Sequence, residues 1–221
     1  MTETAETSST RRPARRRQAR GEKRIDQLLR AAGRVFHEKG YAGATTNAIA
    51  REAQVSPGTL YQFFPNKEAL AIELGRRYNQ ELRDAHSEAL APGNALLPLD
   101  DLIDTVIDPL VAFSVENPAF HTLLEGGDAP EGYAREHDTV SASLVASTQA
   151  LVQARAPELT DTEAERITQM TFAIFKGGLD LISAHTGAAR DAYTTQLKSA
   201  LRGYLAPLVG TDALTPRPGD A

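Results

Sequence analysis

Residues 45–68 read TTNAIAREAQVSPGTLYQFFPNKE, and four local signals divide them. Thr45 and Thr46 offer an N-cap, because a side-chain oxygen there accepts from the unpaired amides of a first helical turn. Ile49, Ala50 and Ala53 then share one face of a short helix. Ser56-Pro57 is a second start, Ser accepting the orphan amides and Pro holding the φ of a first helical position. Leu60 and Phe64, four apart, give this second short helix one buried edge. Pro65 stops it, and Asn66 caps a further helix from Lys67, with Glu68 near its positive end.

Upstream, Ile25, Leu28, Leu29, Ala32, Val35 and Phe36 recur at three- and four-residue steps from Arg24, with Gly40 available to close the helix. Residues 1–20 are polar, carry no apolar periodicity and are expected to form a flexible basic arm. Downstream, residues 67–210 read as helix after helix. Leu70, Leu74, Tyr78 and Leu82 form the stripe of a long helix that Pro92-Gly93 ends at the latest. Leu102 to Val111 form the next, closing near Asn117-Pro118; a short segment around Phe120 to Leu124 leads into a loop at Glu125 to Asp128, and helices follow over about 131–154, 161–186 and 190–208. No segment alternates with period two for long enough to make a strand. The reading is all-α: an arm (1–20), a three-helix head (21–66), a helical body (67–210) and a flexible tail (211–221).

Charge divides along the same lines. The net charge is −5, which on average argues against a polyanionic partner. Residues 1–70, however, hold 13 Lys and Arg against 7 Asp and Glu, a balance of +6, and residues 71–221 hold 11 against 22, a balance of −11. Cysteine is absent, so a disulfide framework, a thiolate metal site and a cysteine nucleophile are excluded. With neither a secretory signal nor a membrane span in the sequence, a soluble cytoplasmic protein is expected.

Two short helices joined by a tight turn, the second exposing small and polar groups, are the parts of a helix-turn-helix, whose second helix enters the major groove of double-stranded DNA. Here Ala48 to Ala53 would support and Pro57 to Phe64 would read. The stretch from Gly40 to Ala50, continued by Val55 to Glu68, resembles the DNA-binding signature of the tetracycline-repressor (TetR) family, over about residues 24–72. Two positions depart from it. Gln54 stands where the family usually has the turn's Gly, so Gln must take the positive φ there. Phe63 stands where members often carry His, and Phe packs on sugar or a thymine methyl but donates no hydrogen bond.

The resemblance implies DNA contacts residue by residue. Thr45 and Thr46 present hydroxyl and amide to phosphate, with Asn47 beside them. Ser56, Pro57, Gly58 and Thr59 open the recognition helix, whose small profile brings backbone near the bases. Tyr61 matches a phosphate-binding tyrosine, Gln62 an adenine reader, and Lys67 a phosphate contact at a helix start. Leu60 and Phe64 are core.

It implies, further, a homodimer through residues 161–208. Ile167, Met170, Ile174, Phe175, Leu179, Leu181 and Ile182 stripe the first of these helices, and Tyr193, Leu197, Leu201, Tyr204, Leu205 and Leu208 the second; Ala173, Gly177 and Gly178 would let helices approach closely. A small-molecule effector would bind among the middle helices, releasing a palindromic operator. Tyr78, Leu82, His86, Ile107, Phe113, Phe120, Leu123, Tyr133, Met170 and Ile174 are the candidate lining, each with ordinary core as its plain alternative. No cofactor or metal is implied. Two rival classes stand beside this reading. One is nonspecific DNA coating by the arginines from Arg11 to Arg24. The other is an all-α enzyme, for which Asp104 with Asp108 and His121 with Glu125 offer only ligand-like i,i+4 spacing, without an H-E-x-x-H, a phosphate loop or a nucleophile elbow.

Overall fold

The computed structural model describes residues 11–125 and 130–214. Among them are nine α-helices and one 3-10 turn and no strand. The helices are α1 (Arg11–Gly43), α2 (Thr46–Glu52), α3 (Pro57–Tyr61), α4 (Lys67–Ala89), α5 (Leu99–Glu116), α6 (Pro118–Glu125), α7 (Glu131–Arg155), α8 (Asp161–Ala184) and α9 (Gly187–Val209), with the 3-10 turn over Pro92–Leu96.

The chain divides into two compact units, residues 1–74 with 122–130 and residues 75–121 with 131–221. In the first, Leu28, Phe36, Ile49, Leu60 and Leu70 are fully buried, and α1 and α3 each pack on α2. Gly40 breaks α1 at φ 67°, as a closing glycine should. At the other end α1 begins at Arg11, well before the Arg24 start expected, so Arg11 to Arg20 are helical where an irregular arm was read. Arg, Ala and Gln are strong helix formers, and a helix already nucleated over Ile25 to Phe36 propagates through them without needing an apolar face. Residues 1–10 and the side chains of 11–18 lie outside the described parts.

In the second unit α8 packs on α7 and α9, and α5 on both α8 and α9. Leu99, Ile103, Ile107, Val152, Ile167, Ile182, Leu197 and Leu201 make one continuous core. Arg155, 6% exposed, donates from Nη1 to the carbonyls of Ala95 and Leu97 and from Nη2 to those of Gly210 and Asp212. Leu99 donates to the Thr211 carbonyl and Leu214 to that of Leu96. The flexible tail expected from residue 211 is bound down over residues 211–214, because the Gly210 and Asp212 carbonyls satisfy a buried cation. Residues 215–221 and the loop residues 126–129 lie outside the described parts.

Candidate nucleic-acid interface

The head is assembled by caps. Thr45 Oγ1 accepts from the Ala48 amide at 3.1 Å and Ser56 Oγ from the Thr59 amide at 3.1 Å, opening α2 and α3. Asn66 Oδ1 accepts from Ala69 at 2.8 Å, opening α4. Between α2 and α3, Gln54 has φ 54°, and no other non-glycine residue described has a positive φ. This is the left-handed conformation that the family resemblance implies at the position where members usually carry Gly. Gln27 Nε2 donates to the Ala53 carbonyl at 2.6 Å, pinning the same turn to α1.

These constraints sort the predicted contact residues outward. Thr45, Asn47, Ser56, Pro57, Gly58, Tyr61 and Gln62 are exposed, Thr46, Thr59 and Phe63 half-buried, while Leu60 and Phe64 are buried. Thr46 Oγ1 lies 3.0 Å from the Tyr61 hydroxyl, so the start of α2 and the end of α3 present two hydroxyls side by side. Lys67 is placed otherwise than the sequence suggests. Its Nζ donates to the carbonyls of Tyr41 (2.8 Å), Ala42 (3.2 Å) and Ala44 (3.2 Å) and sits 4.5 Å from the Tyr41 ring centroid. Three ammonium donors facing three carbonyls leave none for a phosphate; the carbonyls belong to the segment just before α2, 23 to 26 residues away in sequence.

In the second unit Tyr78, Phe113 and Phe120 meet edge to face, with centroids 6.2, 5.9 and 5.1 Å apart. Burial first, then the charge of Glu81, pushes the Tyr78 phenol up to about 12. His137 joins the cluster at 5.3 Å from Phe120. Leu82 and His86 are buried on α4. The other candidates disperse. Ile107 lines a separate, almost wholly apolar cavity of about 70 Å³ beside Leu99, Leu151 and Arg155, and Ile174 packs on the neighbouring core. Leu123 is buried in the first unit, Met170 stands 50% exposed on α8, and the Tyr133 side chain lies outside the described parts. His137 and Asn79 were missed. For Asn79 the signal was present: Asn79, Leu82, His86 and Leu90 follow a 3-4-4 spacing, a stripe that puts polar groups on an inward face.

On α8, Met170, Ala173, Gly177, Leu181 and Ala184 are exposed along one stripe, and Gln196, Ala200, Gly203 and Pro207 along one stripe of α9. Gly178 serves within the chain, since a Cβ there would lie 2.6 Å from Leu197 Cδ1, whereas one at Gly177 would meet nothing. Asp104 and Asp108 are joined by Lys198 Nζ at 2.9 and 2.5 Å, so their i,i+4 spacing serves an ion pair between α5 and α9. Among the described residues no helix is long and apolar enough to cross a membrane.

Comparison with known proteins agrees with this arrangement. The family "Bacterial regulatory proteins, tetR family" matches residues 28–74, and "Tetracyclin repressor-like, C-terminal domain" matches residues 98–205. The HTH-type transcriptional regulator UidR of Escherichia coli is 25% identical over 185 residues, covering 81% of this chain and 91% of its own. HbdR of Aromatoleum sp. is 47% identical over 47 residues, and an uncharacterized regulator of Bacillus subtilis, YhgD, 31% identical over 86, covering 21% and 39% of this chain. The chain spans 44% of YhgD and 20% of HbdR. Among solved structures, a TetR-like transcriptional regulator from Rhodococcus sp. RHA1 superposes with TM-score 0.65 at 20% identity, over 81% of this chain and 94% of that one. PfmR of Thermus thermophilus does so with TM-score 0.63 at 17% identity, over 79% and 97%. With a capped helix-turn-helix matching the family's DNA-binding part and a helical body matching its C-terminal part, this chain belongs to the tetracycline-repressor family of bacterial regulatory proteins.

Proposed function

We propose that the protein is a cytoplasmic, dimeric, sequence-specific repressor that a small apolar effector releases from a palindromic operator. The observation that carries the reading is the outer face of the helix-turn-helix: Thr45, Asn47, Ser56, Pro57, Gly58, Tyr61 and Gln62 all exposed over a buried Leu60 and Phe64. In this reading the paired Thr46 and Tyr61 hydroxyls and Thr45 take phosphate. Pro57, Gly58, Thr59 and Gln62 face base edges, and Phe63 packs on sugar or a thymine methyl. Arginines 11–20 add attraction to the backbone regardless of sequence.

One head makes too few contacts for useful specificity, so two are needed, one turn of DNA or about 34–36 Å apart. The exposed Met170, Ala173, Gly177 and Leu181 on α8 and Gln196, Ala200 and Gly203 on α9 supply a face of small and apolar residues on which a second copy packs as a four-helix bundle. The effector enters the second unit at the Tyr78, Phe113 and Phe120 cluster. Selecting bound DNA from a genomic library with the purified protein gives the operator. Affinity for it should exceed that for a scrambled duplex by at least about 10³-fold at physiological salt; equal affinity for both would establish the coating function instead.

A further inference from the structure

Asn79 and His86 are buried on α4, 1% and 4% exposed. Seven residues apart, they lie on one helix face about 10 Å from each other along the axis. His86 donates Nδ1–H to the Leu82 carbonyl at 2.6 Å. A carbonyl only accepts, so the proton is on Nδ1 and Nε2 of the neutral ring carries a lone pair. Burial, the main influence, holds the His86 pKa below the ordinary histidine value, which keeps the ring neutral. Among the described residues, His86 Nε2 and Asn79 Oδ1 are both buried without a hydrogen-bond partner. Both are acceptors, and buried acceptors left unpaired are rare because they forfeit hydration and gain nothing in return.

The neighbourhood narrows what pairs them. Tyr78, next to Asn79 in sequence and about 100° round α4 from it, meets Phe113 and Phe120 edge to face at 6.2 and 5.9 Å. Beyond Phe120, His137 Nε2 lies 3.0 Å from Ser141 Oγ, and its Nδ1 is buried without a partner among the described residues. A serine hydroxyl rotates and a neutral imidazole exchanges tautomers, so this pair answers either a donor or an acceptor.

Resting on the effector site proposed above, we propose that the effector is an uncharged aromatic compound that donates hydrogen bonds, through hydroxyl or N–H groups, to Asn79 Oδ1 and His86 Nε2, with its ring among Tyr78, Phe113 and Phe120. A carboxylate brings only lone pairs to face lone pairs and is rejected. An aromatic ether or ketone fits the rings but leaves both acceptors unpaired.

Three probes separate these cases: 2-naphthol, 2-methoxynaphthalene and 2-naphthoate, titrated against the full-length protein by equilibrium dialysis. The proposal expects 2-naphthol to bind at least about tenfold more tightly than either of the others, one hydrogen bond's difference. 2-Naphthol carries one donor and so pairs one of the two acceptors; in one of Asn79→Leu and His86→Phe, each shown folded by its thermal melt, its advantage over the ether falls towards one. Each variant supplies its own ratio, so an altered stability does not decide the result. Equal binding of naphthol and ether by the wild type, preference for naphthoate, an advantage that survives both substitutions, or failure of all three probes to bind overturns the proposal. Operator preference is measured without ligand, so its failure, which would remove the repressor reading itself, is seen separately.

Discussion

At Gln54 the chain accepts local strain in order to turn between α2 and α3. A φ of 54° costs a residue with a Cβ roughly 1–2 kcal/mol, which Gly would not incur. Replacing Gln54 by Gly should therefore raise the unfolding free energy by up to about 1 kcal/mol, part of the relief being offset by the freer unfolded chain. Gln54→Ile, β-branched, should lower it by about 1–2 kcal/mol. Urea denaturation of the two variants beside the wild type measures both. Tyr61 makes a different demand. Its hydroxyl lies 3.0 Å from Thr46 Oγ1 on a half-exposed surface, where a hydrogen bond adds little to stability but leaves one of the two O–H groups free to donate outward. Tyr61→Phe should weaken binding to operator and scrambled duplex by the same factor, about three- to tenfold, in fluorescence-anisotropy titrations. A loss confined to one base position would instead make Tyr61 a reader of sequence.

At the scale of elements, Lys67 ties the first residue of α4 to the carbonyls of Tyr41, Ala42 and Ala44, just ahead of the capped start of α2. Its contribution to DNA binding is thus the placement of α2. Lys67→Met should weaken operator binding by about tenfold while leaving the slope of log affinity against log salt unchanged; a lysine on phosphate would flatten that slope by about one. The paired glycines of α8 make a second contrast. A methyl at Gly178 would stand 2.6 Å from Leu197 Cδ1, and Leu197 is only 4% exposed in the core with little room to move, so Gly178→Ala should cost about 1–3 kcal/mol. At Gly177 the methyl meets nothing among the described residues of its own chain, and in the separated subunit Gly177→Ala should gain up to about 1 kcal/mol from helix propensity, whereas in the dimer proposed above the same methyl would crowd the second copy. Denaturation midpoints at one fixed protein concentration, low enough to separate the subunits, give both signs.

Across the whole molecule, the buried histidines make stability depend on pH. Burial is the leading cause that holds His86 and His137 below the usual histidine value; for His137 the nearby Asp138 works the other way, and His121 and Lys176 add to the lowering. The unfolded chain takes up protons on both near pH 6.5 while the folded chain resists, so their contribution is complete above that pH and is lost as the pH falls through it towards the folded values. The urea midpoint should drop between about pH 7.5 and 5.5, and the drop should shrink in the His86→Phe, His137→Phe double variant. The charge balance belongs to this scale too. The +6 of residues 1–70 covers the helix-turn-helix and the basic helix leading into it, and the −11 covers the remainder, where it would hold DNA away from all but the heads.

Most of the helices and their caps were legible in the sequence, because each is decided by residues three or four apart: Thr45 with Ala48, Ser56 with Thr59, Asn66 with Ala69. Neighbours that close always meet, whatever the rest of the chain does. The stripes of α8 and α9 and the buried edge of α3 were readable for the same reason. The turn at Gln54 came from the family resemblance, and the extension of α1 back to Arg11 was not legible. What only the tertiary structure decided lies between residues far apart. Lys67 reaches back 23 to 26 residues to the entry of α2, Arg155 reaches 55 to 60 residues to hold the tail, and Lys198 finds Asp104 and Asp108. A cation's sequence position records its charge but not which of many carbonyls or carboxylates the folded chain will set before it. Likewise Asn79 and His86 could be seen to lie inward, but that their acceptors are left unpaired depends on every side chain packed around them.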